Sequence, residues 1–312
     1  MPTLDYSYRK IKRPGLIKRL IGYLPLPLLR HIYFFRETGQ WGNFRRPSTF
    51  GEKMQWRIIN DRRTILRSSA DRRANRSAIS ETARSNSVEI MMPELLAFSD
   101  HPQKLVQQLK TRQEQHALPR KWLIKPNNSS GELLVTDGEP DWELIESRLN
   151  EWMSPGVLQS IHWLWANAMA TPGFIAETWI GDADRAPEEW KIFVVGGEPS
   201  FYVINRRDSA GNARIHLDRS WNEMETWHHN AGGRITRESI EGSRDLMDSA
   251  ARVIARDWDL LRVDLYWADG RVWFGELTPY PSEGLVHSAP GGPMFDRALG
   301  SMWKLPTLEE VE

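Results

Sequence analysis

The sequence predicts an α+β fold in which strands pair through short hairpins. Two dipeptides that favour tight hairpin turns, Gly196-Gly197 and Asp269-Gly270, each separate two apolar runs that contain aromatic residues. Helical patterns lie between such runs, but strand and helix do not alternate regularly as they would in a doubly wound parallel sheet. With 312 residues, of which 40% are hydrophobic, the chain is long enough for two or three lobes with a substantial core.

The individual elements follow from local patterns in chain order. Residues 15–35 have an amphipathic helical pattern that Pro25 and Pro27 interrupt, and a helix is expected to begin at Thr49 because Glu52 stands at the spacing of a capping box. Further helices are predicted at 103–115, 142–152 and 238–258. Strands are predicted at 122–125, 132–135, 174–180, 190–195, 200–204 and on both sides of Asp269-Gly270.

The first 47 residues carry ten Lys and Arg against two Asp and Glu, a net charge of +8. Because the whole chain is neutral, the remaining residues carry −8, and this asymmetry indicates that the N-terminal region meets something anionic. A basic amphipathic segment can lie in a lipid interface, so peripheral contact with the inner membrane face is one prediction. The alternative is a helix packed on its own domain. Nucleic acid is disfavoured because no recognised nucleic-acid-binding motif accompanies the charge.

The chain contains no cysteine, which excludes disulfide bonds, thiolate nucleophiles and Cys-ligated zinc. No apolar run reaches the roughly 18 residues that a membrane-spanning helix needs, and the basic start lacks the apolar core and cleavage site of a secretory signal. We therefore expect a cytoplasmic protein. His228, His229 and His287 do not have the spacing of a zinc site, and ordinary packing or surface positions are the simpler interpretation.

Two acidic residues, Asp264 and Glu276, lie on the two predicted strands that Asp269-Gly270 joins. The strands of a hairpin are antiparallel, so the two carboxylates can face each other. Mg²⁺ prefers oxygen ligands and completes its shell with water and substrate phosphates, so this pair is sufficient for half of a magnesium site. The alternative is a pair of ordinary acids on the solvated face of a hairpin. As exposed acids, they are expected to contribute little to fold stability.

A second polar feature follows the predicted strand at 122–125. Lys125 ends this strand, and residues 126–131 form a polar loop whose backbone N–H groups could cradle phosphates while the ammonium adds a point charge. The loop is not a P-loop, and no Gly-x-Gly-x-x-Gly follows a strand in this sequence. A single lysine at a strand end can also be an ordinary surface residue.

The order of these features resembles the ATP-grasp superfamily: a strand lysine before a Ser/Gly loop, a strand that ends in Glu177, a second strand lysine at Lys191, and the Asp264/Glu276 pair. Several segments look more specifically like the TupA-like ATP-grasp family, from about residue 45 to the C-terminus. These segments are Pro47 to Trp56, Ala70-Asp71-Arg72, Ile124 to Asn127, Glu189-Trp190-Lys191, Arg262 to Tyr266, Phe274 to Thr278 and Asp296 to Gly300.

The resemblance implies an ATP-grasp fold in which two α+β lobes clasp ATP and Mg²⁺, preceded by a basic, mainly helical N-terminal region. The implied domains are this N-terminal region at 1–85, a small lobe with the phosphate loop and hinge at 86–180, and a large lobe with the metal-binding carboxylates at 181–312. Residues 122–170 would belong to a mobile lid that keeps water from a reactive intermediate.

The same resemblance assigns residues to the nucleotide and the metal. Lys125 would contact the α- and β-phosphates, and Glu177 to Ile180 would form the adenine hinge. Asp264 and Glu276 would hold Mg²⁺, and Thr278 stands where the superfamily often has Asn as a further ligand. Glu177, Asp182 or Asp184 would accept hydrogen bonds from the ribose hydroxyls. The expected nucleotide-binding residues are Arg72, Lys125, Asn127, Ser129, Ser130, Glu177, Trp179, Ile180, Asp182, Asp184 and Lys191.

This chain departs from the family pattern at three places. Arg72 stands where the pattern has Lys, Asn128-Ser129 replaces His-Gly in the phosphate loop, and Glu189-Trp190 replaces Asp-Tyr ahead of Lys191. None of these changes removes an essential charge, so they indicate divergence in specificity rather than loss of activity.

The implied chemistry is transfer of the γ-phosphoryl group of ATP to a carboxylate, followed by attack of an amine on the acyl phosphate. The expected catalytic residues are Lys125, Lys191 and one of Arg206 and Arg207, which would neutralise phosphate charge. The family implies a role in cell-surface polysaccharide or peptide-polymer synthesis, with a small-molecule or glycan carboxylate as acceptor. Ser282-Glu283-Gly284 is a candidate acceptor loop. Two alternatives stay open: a kinase of the same fold, and a non-catalytic nucleotide-binding protein.

Overall fold

The computed structural model describes residues 3–5, 24–129, 131–154, 164–181, 186–208, 211–224, 235–286 and 292–311. The helices in these ranges are α1 (Leu26–Thr38), α2 (Phe50–Asn60), α3 (Thr64–Ala70), α4 (Arg72–Ser85), α5 (Pro102–Glu114), α6 (Trp142–Trp152), α7 (Trp165–Met169), α8 (Glu241–Ile254), α9 (Gly292–Met302) and α10 (Leu308–Val311). The strands are β1 (Thr3–Asp5), β2 (Leu95–Ser99), β3 (Lys121–Pro126), β4 (Leu134–Asp137), β5 (Phe174–Thr178), β6 (Glu188–Val195), β7 (Glu198–Asp208), β8 (Gly211–Asp218), β9 (Leu260–Ala268) and β10 (Arg271–Thr278).

The strands form two five-stranded sheets, and every pairing of named strands is antiparallel. The first sheet has the order β1-β4-β3-β5-β2, and the second has the order β10-β9-β6-β7-β8. The α+β fold class with strands paired through hairpins is therefore confirmed, and both predicted hairpin turns join neighbouring strands of the second sheet.

Local sequence signals place several helices correctly. Helix α2 begins at the predicted capping box, in which Thr49 Oγ1 accepts from the Glu52 N–H and the Glu52 carboxylate accepts from the Thr49 N–H, both at 3.3 Å. Helix α6 has the predicted bounds, whereas α8 is shorter than 238–258 because residues 255–257 form a turn. Helix α1 begins directly after Pro25, and the part of the amphipathic pattern before residue 24 lies outside the described residues.

Three strands, β1, β2 and β8, were not predicted. Strand β1 has three residues, too few for a periodic pattern, and it is held by pairing with β4. Strand β8 buries Ala213, Ile215 and Leu217 on one face, but its first residues are Gly211 and Asn212, so the alternation covers only part of its length. Strand β4 also begins at Leu134, two residues later than the sequence indicates.

Within the described ranges, buried apolar side chains form two separate clusters, one on each sheet. The larger cluster joins the second sheet to α2, α8 and α9, with Trp190 and Trp303 fully buried within it. The smaller cluster joins the first sheet to α5 and α6 around Trp122. Two cores are what a pair of lobes requires, although the exact domain boundaries at 85 and 180 stay a prediction.

Arg57 of α2 fixes the base of the β9–β10 hairpin. Its guanidinium is fully buried and donates to the carbonyls of Leu260 (2.9 Å) and Pro279 (3.1 Å), at the start of β9 and just beyond β10. It also pairs with Asp259 and lies 4.5 Å from the centre of the Trp303 ring. These contacts of Arg57 therefore hold both ends of the hairpin that carries the two predicted metal ligands.

The ion pairs of Asp259 with Arg57 and Arg63 lead to a pH-dependent prediction. Burial by itself would raise the pKa of Asp259, but Arg57, Arg63 and the Trp303 N–H outweigh it and the pKa is lowered. A lowered pKa contributes stability above the unfolded-state pKa of about 3.9, and this contribution is lost as the pH falls through the folded-state value. We expect Asp259→Asn to lower the free energy of unfolding at pH 7 by roughly 3 kcal/mol, and the difference from wild type to shrink below about pH 4.

Urea unfolding at pH 7 and at several values below pH 4 measures this difference. Asp257→Asn is the matched control because Asp257 is 79% exposed and lies two residues away. A difference between wild type and the Asp259 variant that stays constant with pH would contradict the assignment.

Candidate active site

Asp264 and Glu276 are direct partners across the β9–β10 hairpin, as predicted. The turn residues Asp269 and Gly270 both have left-handed backbone angles (φ +53° and +69°), as a tight hairpin turn requires. A bulge at Gly275 sets the pairing, because Phe274 pairs with Leu265 and Glu276 with Asp264. A side chain at 275 would come within 2.8 Å of the Asp264 carbonyl oxygen, so glycine is required there. Without this bulge, Glu276 would point to the opposite face of the sheet.

Lys191 lies beside Asp264 on the neighbouring strand β6. The two residues are cross-strand partners, and Lys191 Nζ donates to Asp264 Oδ2 at 3.0 Å and to Glu189. Burial lowers the pKa of Lys191, but Asp264 and Glu189 raise it more, and the net shift is upward. The three strands β10, β9 and β6 therefore bring two carboxylates and one ammonium to the same face of the sheet.

Arg262 is a site residue that the sequence analysis did not assign. Its guanidinium donates to both oxygens of Asp264 (2.6 and 2.7 Å) and to Thr278 Oγ1 (3.0 Å), and it lies 3.5 Å from Glu276 Oε1. One cation thus contacts all three predicted metal ligands. Its position two residues before Asp264 in a strand places it on the same face, and this signal would have identified it.

Glu276 is held by a second arginine, Arg72, through an ion pair from the start of α4. Burial raises the pKa of Glu276, but Arg72, Arg262 and Lys191 together lower it to about 2. The expectation that both acids are exposed is wrong for Asp264, which is 1% exposed and paired with two cations. The argument that its loss would have little effect on stability therefore no longer applies to it.

The donor set fits a magnesium ion. Two carboxylates and a hydroxyl converge on one guanidinium, which shows that their oxygens can surround a single positive charge. Among the described residues there is no group of three or more His, Cys, Asp or Glu side chains that could hold a metal. Mg²⁺ commonly binds one or two carboxylates and completes its shell with phosphate oxygens and water, so two carboxylates and a hydroxyl are a suitable donor set.

The predicted phosphate-binding lysine lies in the first sheet. Lys125, on β3, forms an ion pair with Glu177 at the end of β5, and Glu177 is 3% exposed and also accepts from Arg76 at 3.2 Å. Two cations on one buried carboxylate leave a net positive charge on this face of the first sheet, and such a charge favours a triphosphate.

The loop after Lys125 is held from within the protein. The Asn127 side chain accepts from the Arg73 N–H (2.8 Å) and donates to Asp71 (2.9 Å) and the Thr171 carbonyl (2.7 Å). Ser129 Oγ is 3.0 Å from Glu132. The structure therefore places both side chains in contacts that shape the loop. Ser130 lies outside the described residues.

The predicted hinge follows β5. The Trp179 N–H donates to the Lys121 carbonyl (3.3 Å), and the Lys121 ammonium lies 4.0 Å from the centre of the Trp179 ring. Ile180 is 6% exposed. These contacts bring the segment beside β3 in the first sheet. Asp182 and Asp184, the expected ribose ligands, lie outside the described residues, as do His228, His229 and His287.

The two candidate arginines on β7 point to opposite faces of the second sheet. Arg206 pairs with Glu188 (2.5 Å), whereas Asn205, on the other face, donates to Glu189 beside Lys191. Arg207 is two residues after Asn205 in the same strand, so its side chain lies on the same face of the sheet as Lys191 and Asp264. On that face Arg207 donates to Asn212 at 2.9 Å. The structure thus brings Arg207, and not Arg206, to the face of the predicted metal site.

Two antiparallel sheets with separate cores, a strand lysine on one and facing carboxylates on the other, are consistent with an ATP-grasp protein, the class to which the family match below assigns the chain. Residues 52–304 match the model of the family described as TupA-like ATPgrasp. This match covers most of the chain, and the protein belongs to that family.

Several solved structures are similar to this chain. D-alanine–D-alanine ligase from Bacillus anthracis has a TM-score of 0.43 and 14% identity, with 78% of this chain and 67% of that chain covered. L-amino acid ligase from Bacillus licheniformis has a TM-score of 0.39 and 14% identity (78% and 50% covered). The ATP-grasp ligase PsnB, complexed with a phosphomimetic variant of its minimal precursor, Mg and ADP, has a TM-score of 0.35 and 11% identity (76% and 60% covered).

The protein thus spans between 50% and 67% of the length of these three solved chains. A search of curated proteins gives no match.

Proposed function

We propose that the protein is an ATP- and Mg²⁺-dependent ligase that joins a carboxylate to an amine through an acyl phosphate. The observation that carries the proposal is that the side chains of Asp264, Glu276 and Thr278 all contact the guanidinium of Arg262. Lys191 lies beside them and donates to Asp264. Membership of the TupA-like ATP-grasp family supports it. Mg²⁺ held by Asp264, Glu276 and Thr278 would neutralise phosphate oxygens during transfer.

The proposed reaction has two steps. A carboxylate oxygen of the acceptor attacks the γ-phosphorus, the bond from that phosphorus to the bridging oxygen of ADP breaks, and ADP leaves. The amine nitrogen then bonds to the acyl carbon, the carbon–oxygen bond to phosphate breaks, and the amine proton is lost as inorganic phosphate leaves. Side chains form no covalent bond in this scheme, so the protein's contribution is positioning and charge neutralisation.

The charged residues have distinct roles in this proposal. Lys125 binds the α- and β-phosphates from the end of β3, and the backbone of 177–180 binds the adenine. Lys191 and Arg207 face the transferring phosphoryl group from the second sheet. Asp264, Glu276 and Thr278 would hold the metal. Arg262, whose guanidinium contacts all three, would stabilise negative charge on the phosphate oxygens beside them.

The proposed acceptor is a small-molecule or glycan carboxylate in cell-surface polymer synthesis, bound near residues 281–284. Ser282, Glu283 and Gly284 have successive left-handed backbone angles (φ +49°, +52° and +72°), and two of these residues are not glycine. Such strain persists only when surrounding contacts enforce it, and it is concentrated at ligand-binding sites. Here Gln55 donates to the Glu283 carbonyl (2.6 Å) and buried Arg30 donates to its carboxylate (2.7 Å).

Product masses test the proposed reaction. The protein is incubated with ATP, Mg²⁺, a mixture of amino acids and a panel of uronic acids, with the Asp264→Asn variant as the control. A ligase gives a product whose mass is that of acceptor plus amine minus water, and hydroxylamine in place of the amine gives a hydroxamate. A stable phosphorylated acceptor identifies a kinase instead. Absence of ADP with every acceptor identifies a nucleotide-binding protein without turnover.

We also propose a cytoplasmic location with peripheral contact at the inner membrane face. Leu28, Phe35 and Trp41 are 45%, 43% and 64% exposed, and the rings of Phe35 and Trp41 are stacked with centres 5.1 Å apart. The exposed Arg45 and Arg46 follow closely in the sequence. Exposed aromatic residues with nearby arginines suit an anionic lipid surface. In the described part of the chain, no helix has the length and apolar character needed to cross a bilayer.

Vesicle flotation tests the lipid contact. Replacing both Phe35 and Trp41 with Ser is expected to lower partitioning to phosphatidylglycerol-containing vesicles by at least about tenfold, because both rings leave the interface. Leu246→Ser is the control, since Leu246 is 52% exposed on α8. Equal recovery of wild type and the double variant would rule out contact through these rings.

A further inference from the structure

Arg72 connects the phosphate loop to the predicted metal site with a single guanidinium. Its Nη1 donates to the carbonyls of Pro126 (2.8 Å) and Ser129, and it lies 3.4 Å from that of Asn127. Its Nε (3.1 Å) and Nη2 both donate to Glu276 Oε2. The side chain is 12% exposed. The Arg72 side chain therefore joins the loop that follows β3 of the first sheet to Glu276 on β10 of the second sheet.

The backbone that carries Arg72 is itself fixed to the loop. Asp71 caps α4 by accepting from the Ala74 N–H (2.9 Å), and the same carboxylate accepts from Asn127 Nδ2 (2.9 Å) and the Thr171 N–H (3.0 Å). The Arg72 N–H donates to the Asn127 carbonyl at 3.2 Å. The backbone at Arg72 is therefore hydrogen-bonded to the loop in addition to the contacts that the guanidinium makes.

The charges explain why this contact conflicts with a bound cation. The Pro126 and Ser129 carbonyls and Glu276 Oε2 all present negative charge to the Arg72 guanidinium, so replacing the side chain removes one donor from each of them. A divalent ion at Glu276 repels the guanidinium and competes with it for the same oxygen. Only arginine can make these contacts together, because its planar fork has five donors where lysine has a single compact ammonium.

We infer that Arg72 is a positioning residue that makes divalent-cation binding at Glu276 and the conformation of the phosphate loop mutually dependent. Without a cation, Arg72 holds the loop against Glu276. When a cation takes Glu276, the guanidinium is released from the carboxylate and the loop is free to adjust to the phosphates. This inference rests on the proposed function, because it assumes that Glu276 is a metal ligand.

The test measures Mn²⁺ affinity by electron paramagnetic resonance and loop protection by amide hydrogen exchange, both without nucleotide. Arg72→Gln is expected to bind Mn²⁺ about tenfold more tightly than wild type, because a competing cation is gone, and its amides at 127–129 should exchange faster. Arg72→Lys should keep the competition for Glu276 but lose the loop protection. Arg73→Gln is the matched control, since Arg73 is the next residue of α4 and its guanidinium lies 4.3 Å from the centre of the Phe98 ring, away from the site.

The outcomes separate this inference from the function on which it rests. If Arg72→Gln and Arg72→Lys both match Arg73→Gln in Mn²⁺ affinity and in loop exchange, the coupling through Arg72 is wrong while the metal site stands. If wild type binds no Mn²⁺ even with ADP present, the metal assignment itself fails. Faster loop exchange with unchanged Mn²⁺ affinity would show that Arg72 only braces the loop, which also overturns the inference.

Discussion

Replacing Asp264 with Asn, or Glu276 with Gln, is expected to lower kcat for ADP formation by at least about 10³-fold. Each change removes one of the two carboxylates that face each other across the β9–β10 hairpin. A neutral amide is a poor ligand for Mg²⁺, which prefers charged oxygens. Initial rates of ADP release at saturating ATP and acceptor measure the effect.

The control for these variants is Asp269→Asn. Asp269 is an acid of the same hairpin, it is exposed, and its left-handed backbone is one that Asn also adopts. Circular dichroism must accompany the rates, because Asp264 is buried between Arg262 and Lys191 and its loss is expected to reduce stability by roughly 3 kcal/mol. A folded variant at either position that retains the wild-type rate would contradict the metal assignment.

The second large effect is expected at Lys125. Lys125→Gln should raise the Kd for ATP by about 10- to 100-fold, the range for losing a hydrogen bond to a charged group. It should also leave Glu177 with Arg76 as its only cationic partner among the described residues. Lys125→Arg keeps the charge and should recover part of the affinity. Fluorescence titration with a labelled ATP analogue measures both constants.

Lys104→Gln serves as the control for Lys125, since Lys104 is an exposed lysine on α5 of the same lobe. If Lys125→Gln bound ATP as tightly as Lys104→Gln, the strand lysine would be a surface residue, which was the alternative that the sequence left open.

Much of the fold could be predicted from short patterns. The capping box at Thr49, the turn at Asp269-Gly270 and the helix at 142–152 depend on residues within a few positions of each other, and all three are confirmed. The prediction that Asp264 faces Glu276 was correct, but it depended on a bulge at Gly275 that was not foreseen. A Cβ at position 275 would lie 2.7 Å from the Tyr266 ring on the opposite strand, a contact that a local pattern does not reveal.

The electrostatic part of the site was less predictable, because it joins residues far apart in the chain. Arg72 reaches Glu276 across 204 positions, and Lys191 reaches Asp264 across 73. The choice between Arg206 and Arg207 required the register of β6 against β7, since neighbouring residues of a strand point to opposite faces. Sequence identified most of the charged residues but not Arg262, and the partners and burial of all of them required the structure.

A crystal structure grown with ADP and Mn²⁺, with anomalous diffraction collected to locate the metal, tests the metal assignment directly. We expect an anomalous peak within bonding distance of carboxylate oxygens of both Asp264 and Glu276, in contact with the diphosphate, with Arg262 withdrawn from the acids. A peak elsewhere, or ADP bound with both carboxylates still paired to Arg262 and Arg72, would contradict it.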